Sequence, residues 1–439
     1  MYQEELSFPH GFLWGSATAA HQVEGGNTNN NWHVWEHTSG KIAGAAIAGL
    51  ACDWWNGRWQ EDLAHAAQDG QNTHRLSVEW SRIEPQPGAW DEAALQHYRT
   101  MLQGIIRLGL KPFITLHHFT DPIWIYEKGG WENEETVEHF ARYVEKTVAA
   151  LGDLTDLWVT INEPTVYAFS GYMTAEFPPG KSDARAAFQV MRNMVKGHAR
   201  AYRIIHQLQP HAMVGFAKHF RAMAPARPAF PLDRWVTNFS YNSFNNAFAD
   251  ALATGKLKFA LWKASIPDAI ATQDYVGVNY YTRDLIKFKP LAFKDIFQER
   301  YYDPHAPLSE NDFIADLPIG FYESLQWAQR YGLPIYVTEN GVEDSRDVMR
   351  PHYLVAHLYQ LWKALHDGMD IRGYMHWSQV DNFEWERAWT QRFGLWGLDV
   401  KTQQRVRRPS VDIYREICTR NAIPLDLIRR HAPELLDVL

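Results

Sequence analysis

Cysteine is nearly absent from the chain. Cys52 and Cys418 are the only two in 439 residues. Two cannot build a disulfide framework, and they suit a reducing cytosol, so a cytoplasmic location is expected. The opening residues, Met1 to Glu5, carry neither a basic nor an apolar stretch and are not expected to act as a secretory signal. Long apolar runs are missing too. The softest stretch, 43–51, falls far short of the ~20 residues a membrane span needs. Basic charge is not in excess, since 43 Lys and Arg stand against 51 Asp and Glu, a net charge of −8. Neither a nucleic acid nor a membrane surface is therefore expected as a partner. No Gly-x-Gly-x-x-Gly and no Walker-type loop follows an apolar run, which counts against a nucleotide site.

Aromatic side chains, in contrast, are plentiful: 19 Trp, 20 Tyr and 22 Phe, or 14%. A large core accounts for many of them. Tryptophans beside polar residues also suit a site that stacks an apolar-faced ring such as a sugar. The length fits either about three ordinary domains or one (β/α)8 barrel with long insertions.

Eight short runs rich in apolar and β-branched residues recur at 12–17, 73–80, 112–119, 157–162, 213–219, 275–282, 335–340 and 371–378. Most read as strands buried on both faces, as in a parallel sheet. The gaps between them are long enough for crossover helices. Between 91 and 108, Asp91 reads as an N-cap, and Leu95, Tyr98, Leu102, Ile105 and Ile106 form an apolar stripe that ends at Gly109. Val137, Phe140, Val144 and Val148 repeat the pattern before Gly152, and a helix at about 321–331 stops at Gly332-Leu333-Pro334. Eight strand–helix units fit a closed barrel or an open doubly wound sheet. Polar clusters at the carboxyl ends of nearly all the runs favour the barrel, because an open sheet concentrates its site near one switch point. We therefore expect one (β/α)8 TIM barrel domain spanning 1–439, with long loops after the strands.

Two of the runs end in a glutamate beside an asparagine: Thr160-Ile161-Asn162-Glu163-Pro164 and Val337-Thr338-Glu339-Asn340-Gly341. A carboxylate that ends an apolar strand sits at the barrel mouth, where desolvating it is costly unless something uses it. Two such groups across one cleft suit acid work on one side and nucleophilic or base work on the other, the pair that glycoside hydrolysis needs. Two unrelated surface glutamates at loop starts are the plain alternative.

With these motifs the chain resembles glycoside hydrolase family 1, the retaining β-glucosidase and β-galactosidase family. The resemblance runs from Phe8-Pro9 to about Arg408. It rests also on the opening segment 12–25, on His74-Arg75-Leu76-Ser77-Val78-Glu79-Trp80, on Gly277-Val278-Asn279-Tyr280-Tyr281-Thr282, and on Trp377-Ser378 through Asp381-Asn382-Phe383-Glu384-Trp385. It implies a β-glycosidase that uses no cofactor or metal and acts on a small-molecule β-glycoside.

By that resemblance Glu163 is the acid/base, holding a proton near neutral pH because a nearby carboxylate raises its pKa. Glu339 is the nucleophile, kept ionised by Arg75 and the Tyr281 hydroxyl. Asn162 binds the sugar 2-hydroxyl, a contact that strengthens in the transition state. Gln22, His118, Glu384 and Trp385 hold the remaining hydroxyls, and Trp377 is the floor under the ring's C–H face. Arg75 could instead be a structural ion pair, Trp377 and Trp385 could be core, and Asn279 either touches sugar or supports Tyr281. An ionised Glu384 is expected to repel a phosphate, so unphosphorylated glycosides are the expected substrates.

Other functions remain open. A transglycosidase of the same family differs only in how well water competes, and a non-catalytic sugar-binding barrel would have lost a glutamate. A metal-dependent barrel hydrolase lacks a convincing ligand set, since His117 and His118 are adjacent on a strand and point to opposite faces. Three departures from the family pattern stand out: Phe119 where Trp is frequent, the segment 311–318 where a leaving-group Trp is frequent, and the apolar loop 41–51. We expect that loop to border the cleft entrance.

Overall fold

Eight parallel strands close on themselves. In chain order they are β1 (Leu13–Ala17), β2 (Thr73–Ser77), β3 (Lys111–His117), β4 (Leu157–Asn162), β5 (Met213–Pro225), β6 (Val276–Phe288), β7 (Ile335–Asn340) and β8 (Ile371–Trp377). Each pairs with its neighbours in sequence, and β8 pairs with β1 to complete the ring. The computed structural model describes residues 4–292 and 297–438. The architecture is the (β/α)8 barrel.

The crossover helices follow the apolar periodicity. Helix Glu92–Arg107 starts where the Asp91 side chain accepts the Ala94 N–H at 3.0 Å. Leu95, Tyr98, Leu102 and Ile105 are buried, but Ile106 is 43% exposed. One residue is 100° of helix, enough to turn Ile106 off the stripe. Helix Glu135–Leu151 buries Val137, Phe140, Val144 and Val148, and helix Pro318–Gln329 precedes Gly332 at φ +66.

Two strands outrun their sequence signal. β5 and β6 continue past the barrel rim, paired from Ala222–Arg283 to Pro225–Ile286, and Gln298–Tyr301 adds an antiparallel strand to β6. A small second core of Met223, Val236, Phe244 and Ile286 forms there.

The barrel is plugged at the amino-terminal ends of its strands. Phe113, Tyr275 and Tyr336 meet there with ring centroids 5.1 to 5.8 Å apart. The carboxyl ends are therefore the open face. Near the start of β1, strand Glu5–Ser7 pairs antiparallel with Ala422–Pro424, and the Trp14 indole donates to Asn421 Oδ1. Both cysteines are buried and unpaired. Among the described residues no helix is long and apolar enough to cross a membrane.

Loop 41–51 lies against a segment that borders the cleft: the Trp389 indole, two residues past the cleft-lining Arg387, donates to the Ile47 carbonyl at 3.3 Å. None of its residues lines that cleft. Ile42, Ala48 and Ala51 pack inward, while Ile47 and Leu50 are exposed. Backbone bonds from Gly26 to the Gly49 carbonyl and from Cys52 to the Val23 carbonyl tie it to the turn after β1.

Candidate active site

One cleft of about 700 Å³ opens at the carboxyl ends of the strands, and both Glu163 and Glu339 line it. Glu163 follows β4 in the left-handed region, at φ +45, and Pro164 starts the next helix directly after it. A non-glycine residue held there is strained, and such strain gathers at functional sites. Glu339 sits within β7. Gly341 lets the ends of β7 and β8 close together, because a Cβ there would stand 1.9 Å from the Trp377 carbonyl oxygen.

Arg75, buried on β2, organises the floor. Its Nη1 donates to Glu339 Oε1 at 2.6 Å and to the Thr338 carbonyl at 3.0 Å. Its Nη2 donates to Asn162 Oδ1 at 2.7 Å and its Nε to Thr115 Oγ1 at 3.1 Å. It thereby joins the two asparagine–glutamate motifs. The Tyr281 hydroxyl donates to the other Glu339 oxygen at 2.5 Å. Asn279 reaches across to Asn162 and Glu163. Its Nδ2 donates to Glu163 Oε1 at 2.7 Å, and its Oδ1 accepts from the Thr338 hydroxyl.

These bonds leave certain atoms unpaired. Asn162 Oδ1 is taken by Arg75, so its amide nitrogen faces His118 Nε2 at 3.0 Å. The His118 proton then lies on Nδ1, which is buried without a partner. Burial, Arg75 and His117 hold His118 well below the usual histidine range, so it is neutral. Gln22 shares its amide nitrogen among Asn382 Oδ1, the Phe383 carbonyl and Glu384 Oε2, and its Oε1 is also buried and unpartnered. A donor and an acceptor thus await hydroxyls, since buried polar atoms without partners are costly. Trp377 and Trp385 line the same cleft with only 3% and 4% of their surface exposed, and each packs against His118, at 6.0 and 5.9 Å.

Sequence reasoning missed several residues. The most consequential is His219, which lies 56 positions from Glu163 and places Nδ1 3.2 Å from Glu163 Oε1. It stacks on Tyr281, and the buried Lys218 ammonium donates to its carbonyl. Its position in a strand run at the barrel mouth was the available signal. The segment 311–318 brings Phe313 and Ile314 to the cleft wall, and the Arg387 guanidinium lies 4.8 Å over the Phe313 ring. Phe119, at φ +67, lies 5.2 Å from Trp385.

The protonation pattern differs from expectation. Burial pushes Glu163 up, but His219, Asn279 and Lys218 together outweigh it, so Glu163 lies below the ordinary carboxylate range. Glu339 is raised to about 7, chiefly by burial, with Arg75 opposing and the Glu163 charge adding. The two carboxylates therefore titrate as a coupled pair. Glu384 also departs from expectation: burial, Glu386 and Glu339 raise it to about 8, so it is neutral at pH 7.

The sequence profile described as Glycosyl hydrolase family 1 matches residues 4–423. A curated relative named Beta-glucosidase A, from Thermotoga maritima, is 32% identical, with 95% of this chain and 98% of that protein covered. Another, Beta-galactosidase of Pyrococcus woesei, is 31% identical over 95% of this chain and 98% of its own length. Among solved structures, a beta-glycosidase from Pyrococcus horikoshii superposes with a TM-score of 0.90 at 35% identity, covering 97% of this chain and 98% of its own. A Thermotoga maritima beta-glucosidase in complex with glucoimidazole superposes with a TM-score of 0.89 at 30% identity, covering 95% and 99%.

Proposed function

The chain belongs to glycosyl hydrolase family 1 and is a β-glycosidase; from that premise we propose that Glu339 is its nucleophile and Glu163 its acid/base in a retaining reaction. The observation that carries this reading is the pair of strand-end glutamates in one cleft, one gripped by two donors and the other free of both.

Glu339 attacks the anomeric carbon while the bond to the leaving-group oxygen breaks and Glu163 gives that oxygen its proton. Glu163 then takes a proton from water, which attacks the glycosyl–Glu339 ester and frees the sugar with its configuration retained. Arg75 and Tyr281 stabilise the carboxylate before attack and as it leaves. The reactive state needs the shared proton on Glu163. Donation from Arg75 and Tyr281 favours the ionised form of Glu339, and the glycosidic oxygen supplies an acceptor on the Glu163 side.

The sugar-like ligand of the Thermotoga maritima neighbour supports a single sugar ring in this cleft. In this reading the ring rests on Trp377. Asn162, His118 and Gln22 meet its hydroxyls through the atoms left unpaired in the empty site, with Glu384 and Trp385 beside them. Phe313 and Ile314 form the leaving-group wall. The whole chain acts as one catalytic barrel domain, and its two buried free thiols fit a reducing cytoplasm.

The test is trapping. Incubation with a 2-deoxy-2-fluoro-β-glucoside bearing a dinitrophenyl leaving group should stop turnover and add one glycosyl mass to the peptide containing Glu339. An adduct on the Glu163 peptide instead, or inactivation without any adduct, would overturn the assignment.

A further inference from the structure

Outside the cleft, the short helix Asn31–Glu36 and the residue that ends it present a His-x-x-Glu-His pattern. His33, Glu36 and His37 each offer one ligand atom, and these atoms lie within 4.8 Å of one another. It is the one such group found among the described residues. We propose that these three side chains form a site for a single divalent transition-metal ion of the zinc or nickel class, separate from the glycosidase centre.

The supporting shell is already in place. Glu36 Oε2 accepts the Ala48 N–H at 2.8 Å, which leaves Oε1 turned towards His33, with Nδ1 3.5 Å away. His37 Nδ1 pairs with the His33 carbonyl at 2.8 Å, so that nitrogen carries the proton and the lone pair of Nε2 is free. Ligating carboxylates and imidazoles are characteristically oriented by such outer bonds.

Charge gives an independent reason. The Glu36 carboxylate is almost wholly buried, yet its ion-pair partners are both histidines: His33, and His21 at 3.9 Å. Asn30 Nδ2 donates to His21 Nδ1, so the proton of His21 is on Nε2, and that atom is buried without a hydrogen-bond partner. A cation bound at the outer edge would neutralise this carboxylate. Two imidazoles and one carboxylate, with water completing a tetrahedron, suit zinc and its neighbours rather than calcium or magnesium.

The same helix carries Trp32, whose ring lies 4.7 Å from Trp385. The ion would therefore sit behind the sugar pocket, away from substrate.

The test uses the full-length protein, cleared of metal by chelator. Titration with zinc chloride in a calorimeter should show one saturable site, and zinc should raise the melting temperature. His37→Ala and His33→Ala should each weaken zinc binding at least tenfold while leaving glycoside turnover unchanged, which also shows that they fold. Cobalt(II) should give a visible absorption band in the wild type that His37→Ala abolishes. Zinc binding that is equal in wild type and variants, no saturable binding, or calcium binding as tight as zinc would each overturn the proposal.

Discussion

His219 Nδ1 stands 3.2 Å from Glu163 Oε1, so the proposed acid/base has a basic partner contributed by the next strand of the barrel. With Glu163 lying below Glu339, the acid limb of kcat/KM follows Glu163 and the alkaline limb follows Glu339. Replacing His219 with Leu removes the partner and lets burial dominate, which raises Glu163. The acid limb should move up by about one pH unit, and Lys218→Met should move it the same way by less. A profile unchanged by His219→Leu would exclude this control of Glu163.

Arg75 acts on the other limb. It opposes the burial that carries Glu339 to about 7. In Arg75→Met, Glu339 rises further, so the alkaline limb should shift to higher pH, and turnover at pH 6 should fall steeply because less of the pair carries an ionised Glu339. Stability should drop by about 3 kcal/mol, the cost of breaking a buried pair, less whatever protonation of Glu339 recovers. Denaturant unfolding and a pH–rate profile check both.

The two glutamates should separate cleanly by substrate. Glu339→Ala should cost about 10^5-fold or more in kcat, with azide or formate restoring part of it. Glu163→Ala should slow poor leaving groups far more than activated nitrophenyl ones, because only the former need the proton. Equal losses on both kinds of substrate would remove Glu163 from the role.

Glu384 exchanges stability for function as pH changes. Its folded pKa of about 8 lies above the ordinary value of 4.5. The stability it contributes is therefore complete below 4.5 and is lost as pH rises through 8. Glu384→Gln keeps an acceptor for Gln22 and cannot ionise. It should melt a few degrees higher than wild type at pH 9, with the difference vanishing near pH 4.5, while glycoside KM rises. A constant difference in melting temperature across that range would contradict the pKa.

The same group shapes selectivity against phosphorylated sugars. Neutral at pH 7, it repels no phosphate by charge there. The nearby cations are already engaged, however, Arg221 with Asp284 and Arg387 with Glu386. A β-glucoside should exceed its 6-phosphate in kcat/KM by about a hundredfold or more. The ratio should widen between pH 7 and 9 as Glu384 ionises. A ratio that stays flat over that interval would detach the discrimination from this residue.

The barrel and its two glutamates are legible in the sequence because both are local signals. Apolar runs such as 157–162 and 335–340 match β4 and β7 end to end. The roles of neighbouring residues were less visible, because they depend on contacts across the ring. The alliance of Asn279 with Glu163 rather than Tyr281 joins positions 116 residues apart. Glu384 ends beside Glu386 and Glu339 in a buried pocket, which no spacing reveals. The extensions of β5 and β6 lacked a signal because they are held by each other beyond the barrel and by a small separate core. The composition of loop 41–51 signals a need for cover without showing that the segment around Trp389 supplies part of it.

The pairing of Glu5–Ser7 with Ala422–Pro424 holds the first described strand beside the start of β1, whereas the catalytic groups stand at the far ends of the barrel strands. An anchor fused ahead of Glu5, whether a resin-binding peptide or a scaffold domain, therefore attaches to the sealed side of the molecule, whereas the last described turn returns towards the cleft side, where Glu434 pairs with His352 at the start of helix Arg350–His366. A layer of enzyme fixed in this way presents its clefts outward to the surrounding solution.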